Sequence, residues 1–234
     1  MKVSELKVEP KEVITDVEYL SNDDACEIIN HKSEASLLQE IILTLKATMR
    51  ANNYTYLTAP QVGYKKRVFC IKFGKADYRT FVNPMIENMS NPCLVPEACY
   101  SIPGKTFLMP RFSKVTLWSM TPLGKSEQRT FVGMAATMVE HCMYHLDGGL
   151  ISDIGLELDD DWYQATDEER EEVSKLYLES LDMRNKQMQE ELEENAELKQ
   201  INDASKFIES VRTGETTVEP LENTDIENEV TQNE

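Results

Sequence analysis

The segment Val132–Leu146 (VGMAATMVEHCMYHL) limits the fold of this 234-residue chain more than any other stretch. It is almost wholly apolar, rich in the helix formers Ala and Met, and ends at Asp147-Gly-Gly149, a sequence that stops helices. A helix apolar on most sides has to be enclosed by other elements. The residues before it supply them. Ala35–Asn52 places Leu38, Ile41, Ile42, Leu45 and Met49 at spacings of three and four, which predicts an amphipathic helix. Arg67–Phe73 (RVFCIKF), a run led by Thr80–Pro84, and Ser113–Met120 (SKVTLWSM) predict strands, with a short further one over Glu12–Val17. The turn signal Thr121-Pro-Leu-Gly124 closes the last of these runs. Helix, strands and buried helix in that order predict an α+β domain, a mainly antiparallel sheet around a central helix.

The charge divides the chain. Residues 1–156 hold 17 Asp+Glu and 17 Lys+Arg, so the remaining 25 acidic and 7 basic residues put the whole net charge of −18 into residues 157–234. Three regions are expected: a domain over 1–156, an acidic and mostly helical extension over 157–212, and a disordered acidic tail over 213–234. In the extension, Thr166–Gln200 carries a thin apolar stripe of Val173, Tyr177, Leu181, Met188 and Leu192 on a predicted long exposed helix. The tail is Thr, Glu and Asn with too few apolar residues to offset the entropy of ordering. Such acidity repels phosphate backbones and anionic lipid, which argues against direct nucleic-acid or membrane binding. A protein partner for helix 166–200 and a merely solubilising charge run both fit the pattern. The charged N-terminus MKVSELKVEPKEV, the lack of any 18-residue apolar run and five cysteines without regular spacing predict a cytoplasmic protein with free thiols.

Of three histidines, His141 and His145 lie four apart on the buried helix and therefore share a face, where two imidazoles can meet one metal ion. Two hydrogen-bonded core histidines fit the bare H-x-x-x-H pattern equally well. The upstream turn Glu97-Ala-Cys-Tyr-Ser-Ile-Pro-Gly104 tips the balance, because one Cys with two His makes a ligand set that leaves a fourth position open.

Leu57-Thr-Ala-Pro-Gln-Val-Gly63 then completes a pattern: it resembles the peptide deformylase motif written G-x-G-x-A-A-P-Q-x-G. Glu97-Ala-Cys-Tyr-Ser101, Pro110-Arg-Phe-Ser-Lys-Val115 and His141-Cys-Met-Tyr-His145 follow in the order of that family's E-G-C-L-S, P-R-x-x-x-V and H-E-x-x-D-H segments. The resemblance spans roughly Asp16 to Asp153 and implies a peptide-deformylase-like fold and one divalent metal ion, Fe2+ or else Zn2+ or Ni2+. It implies hydrolysis of the formyl group from N-formylmethionyl peptides or nascent chains by a metal-bound water. Carried over by position, Cys99, His141 and His145 would hold the ion, and the Gln61 amide and Tyr100 backbone N–H would hold the developing oxyanion. Tyr54, Tyr56, Leu57 and Met138, with Met134 and Thr137, would border the substrate.

The chain also departs from that pattern. Cys142 stands where the family has the glutamate that moves the proton, a function worth about 10²–10⁴ in rate. Tyr54 and Tyr56 replace the two glycines of the first motif, Tyr100 replaces a leucine, and Tyr144 replaces an aspartate. Two readings follow: a metallohydrolase in which Cys142 or another acid does the proton work, and a catalytically impaired deformylase fold kept for a structural or interaction role.

Overall fold

Along the strand β2, Val68–Lys72, side chains alternate between two cores. Phe69 and Ile71 enter a cluster with Phe81, Val115, Leu117, Phe131 and the α3 residues Ala136, Val139, Cys142 and Leu146 (α3, Met134–Leu146). Val68 and Cys70 enter a second cluster with Leu38, Ile41, Leu45 and Met49 of α2, Ala35–Asn52. The sheet is thus covered by a helix on each face, which is why RVFCIKF reads as a continuous apolar run rather than an alternating one.

This computed structural model describes residues 8–21 and 25–212. The sheet runs β1 (Tyr56–Thr58), β2, β3 (Tyr78–Cys99), β4 (Ile102–Met120), β5 (Ser126–Val132), every neighbour antiparallel, and β6 (Leu156–Leu158) joins the other half of β4. The α+β fold expected from the sequence is therefore present. A strand over Glu12–Val17 is not: Ile14 makes a single backbone bond to Gln61, and Val17–Leu20 is a helical turn, α1, capped by the Asp16 carboxylate. Val132 ends β5, so the helix expected from that residue begins at Met134, after Gly133 at φ +58°, where a side chain is strained. β3 and β4 form one long hairpin through Pro84, Pro92, Pro96 and Pro110. Register shifts between Val82 and Met85, Ile86 and Asn88, and Ala98 and Cys99 interrupt the ladder; the first takes in Pro84, while Pro92, Pro96 and Pro110 keep partners in register.

The chain divides into two units, Met1–Arg170 and Glu171–Glu234. Because β6 pairs with β4, the sheet continues past residue 156. Short helices α4 (Ile151–Ile154) and α5 (Asp160–Gln164) lead to α6, Asp167–Arg212. At the start of α6, Thr166 and Glu169 each accept the other's backbone N–H, the reciprocal pattern of a capping box. Val173, Leu176, Met183 and Met188 are exposed on this helix. The expected disordered tail 213–234 lies outside the described residues.

Candidate metal centre

α3 carries the two histidines inward because residues 138, 141 and 145 follow one stripe of the helix, and all but its first residue and Ala135, Met138 and Tyr144 are buried. Cys99 comes from the last residue of β3, at the register shift before the turn Tyr100–Ser101. The thiol, His141 and His145 are each at most 3% exposed, and their ligand atoms all lie within 4.8 Å of one another. Cys99 Sγ is 3.2 Å from His145 Nε2. Separations of this size suit one ion at about 2.3 Å from sulfur and 2.0–2.1 Å from nitrogen.

The orientation of His141 is fixed from behind. Its Nδ1 is 2.7 Å from Glu97 Oε2, and Glu97 is gripped by Arg111 through Nε (2.6 Å) and a second N–H (3.1 Å). Burial opposes the Glu97 charge, but the hydrogen bonds from His141 and Arg111 outweigh it and hold the carboxyl below its usual range. His141 Nε2 remains buried without a hydrogen-bond partner, as does His145 Nδ1. A buried nitrogen left bare while its ring is locked by a carboxylate is the arrangement of a metal-ligating histidine. Burial, with the neighbouring His141 and Arg111, keeps His145 well below the ordinary imidazole value, so it is present as the neutral ligand form.

Gln61 sits in the turn Pro60–Val62, closed by Gly63 at φ +88°. The Thr58 N–H can only donate, so it sets Gln61 Oε1 towards Thr58 at 3.0 Å and turns Nε2 to Ser101 Oγ (3.1 Å) and Cys99 Sγ (3.8 Å). Tyr100 stacks on Tyr54 at 3.9 Å and lies 5.2 Å from Tyr56, whose ring is 4.8 Å from that of His141. Met138 and Tyr56 are both partly buried against the α3 cluster, and Thr137 is buried, whereas Met134 is exposed at the helix start. Leu57 is placed elsewhere: its side chain is fully buried in the α2 cluster and its backbone pairs with Cys70. Alternation along β1 turns it away from Tyr56.

Cys142 lies in the apolar core and is fully buried, and burial pushes its thiol well above the ordinary value. Glu140 faces the other way and accepts the Phe112 N–H. The Tyr144 ring occupies the space where Gly149 would carry a Cβ, 2.5 Å from that position, and lies 5.9 Å from the Arg111 guanidinium. Sequence reasoning missed Glu97 and Arg111 as site residues. Both stood inside the motifs, as a carboxylate and a guanidinium in segments that had to be buried.

An antiparallel sheet wrapped round one helix, with a buried Cys/His/His set at their junction, is the arrangement of the deformylase class. The family model described as polypeptide deformylase matches residues 17–158, and the chain belongs to that family. It is 31% identical over 120 residues to a peptide deformylase of Thermodesulfovibrio yellowstonii, covering 50% of this chain and 73% of that one. Against the peptide deformylase of Dictyoglomus turgidum the identity is 28%, covering 51% and 78%. Among solved structures, a ligand-bound class I type b peptide deformylase from Acinetobacter baumannii superposes with a TM-score of 0.58 at 27% identity. That match covers 62% of this chain and 99% of that one. The peptide deformylase of Legionella pneumophila gives 0.57 at 27%, covering 62% and 85%. No helix among the described residues is long and apolar enough to cross a membrane.

Proposed function

We propose that this chain is a metal-dependent hydrolase that removes the formyl group from N-formylmethionyl peptides, at a rate lowered by the loss of the acid beside its first ligand histidine. The observation that carries the reading is the bare, buried Nε2 of His141 facing Cys99 and His145 while Glu97 and Arg111 lock the other side of the ring. Cys99, His141 and His145 would hold a divalent ion, iron or else zinc or nickel, which would supply Lewis acidity towards water and a carbonyl at neutral pH. Gln61 directs an N–H next to the ligand sulfur, and the Tyr100 N–H follows directly after the ligand, so both are donors for an oxyanion forming there. Tyr56 and Met138 border the space in front of His141. Cys142, kept protonated by burial, takes no proton at neutral pH, so proton transfer falls to solvent.

Metal-loaded protein given N-formyl-Met-Ala is expected to release formate slowly, and to stop when the metal is stripped. Metal-independent release, or none at all, contradicts the reading. The enclosure of Cys142 in the core favours one other reading, a deformylase fold without catalysis. In that case metal is bound and no formate appears.

A further inference from the structure

β1 is the edge of the sheet next to the metal ligands. Lys72 donates to the Thr55 carbonyl, Leu57 pairs with Cys70 and Ala59 donates to Val68, so the Thr55 carbonyl and the backbone of residues 57 and 59 face β2, while the Thr55 N–H points out of the sheet. By the alternation of an antiparallel ladder, Tyr56 and Thr58 turn theirs outward, towards the end of β3 and the turn at Tyr100. An outward-facing strand edge is where an extended chain can add itself, with about 4.8 Å to each neighbour. In this chain side chains cross that gap. The Tyr56 hydroxyl donates to the Ala98 carbonyl at 2.8 Å, the Thr55 N–H donates to the Tyr100 hydroxyl at 3.2 Å, and the Tyr54 and Tyr100 rings stack. Behind this closure lie Cys99 and His141, 3% and 1% exposed.

We propose that Tyr56 and Tyr100 are specificity-determining residues: they latch β1 to the end of β3, so that an extended formyl peptide, which needs the backbone edges they bridge, has to displace the latch, while formate makes no backbone pairing and does not compete with it. The inference rests on the metal-centre reading above. Its selectivity arises because the peptide competes with the Tyr56 hydroxyl–Ala98 carbonyl bond, the Thr55 N–H–Tyr100 hydroxyl bond and one stacked aromatic pair, whereas formate competes with none of them. The outward backbone of Tyr56 and the Ala98 carbonyl become available to a peptide only when the Tyr56 ring swings away. Ala98 is exposed, so water satisfies its carbonyl in the open state.

The full chain loaded with Co2+ tests this by its visible spectrum, titrated separately with sodium formate and N-formyl-Met-Ala. Tyr56→Phe removes only the hydroxyl and is expected to tighten the peptide about two- to tenfold, the worth of one hydrogen bond, with formate unchanged. Tyr56→Gly with Tyr100→Leu removes the stack as well and is expected to exceed tenfold. Peptide affinity unmoved in both variants, or formate and peptide tightening equally, overturns the latch. If the chain takes up no Co2+, the metal-centre reading fails, and the latch is read instead from metal-free protein. N-ethylmaleimide labelling of Cys99, mapped by mass spectrometry against the half-buried Cys93, is then expected to quicken at least tenfold in the double variant. An unchanged rate overturns the latch on its own terms.

Discussion

The two sides of the candidate metal centre differ in how closely they keep the deformylase pattern. On the ligand side, Cys99, His141, His145 and Gln61 stand where the family pattern has them, and Glu97 and Arg111 brace the first histidine with three hydrogen bonds. On the substrate side, the acid has become a core thiol at Cys142, and Tyr54, Tyr56 and Tyr100 fill and bridge the space in front. In this chain the Cys/His/His geometry stands beside residues that depart from the family pattern. The reason is physical: His141 is held by the buried Glu97–Arg111 ion pair, whereas Tyr54, Tyr56 and Tyr100 lie at an edge strand and a turn and are only partly buried.

The comparison breaks most readily at the ligands. Cys99→Ala or His145→Ala is expected to reduce bound metal from about one equivalent to none, because two remaining donors do not make a closed set. Metal analysis after dialysis reads this directly, and undiminished binding in both variants would show the ligands to be misassigned. A smaller effect belongs behind the ligands. Glu97→Gln keeps the shape but weakens the grip on His141 Nδ1, and metal affinity is expected to fall about 10–100-fold. The same residue sets an acid limit. Its folded-state value lies below its unfolded one, so its contribution to stability is complete above about pH 4.5 and disappears as pH falls through the lowered value. Glu97→Gln should flatten that part of a stability-versus-pH curve, and an unaltered curve would place the acid sensitivity elsewhere.

The smallest effect is expected far from the centre. Removing residues 171–234 takes away a unit that contributes none of the ligands or donors described, so metal stoichiometry should be unchanged. Loss of cooperative unfolding in the shortened chain would tie the acidic helix to the core instead.

The elements and residues legible in the sequence were those with local signatures. α2 and α3 declared themselves by spacing, and the two histidines by lying one helical turn apart on a helix that had to be buried. Local signals misled where pairing partners were distant. Glu97–Gly104 read as one turn, but Glu97–Cys99 ends β3, Ile102–Gly104 begins β4, and only Tyr100 and Ser101 turn between them. β5 was overlooked because Ser126–Val132 is polar except on the face that buries Phe131. The Glu97 carboxylate meets Arg111 across 14 residues and His141 across 44, and no periodicity reports such a contact. The tyrosines were visible as replacements of glycine and leucine, while their mutual closure of the gap depends on the path of β1 past Ala98.

A metal centre that lacks only its proton-transfer group should respond to Cys142→Glu. Metal content and formate release from N-formyl-Met-Ala, measured on the same samples of wild type and variant, are expected to show equal metal and a gain of about 10²–10⁴ in turnover for the variant. Equal metal with no gain, or rapid wild-type turnover that is lost in Cys142→Ala, would contradict the account.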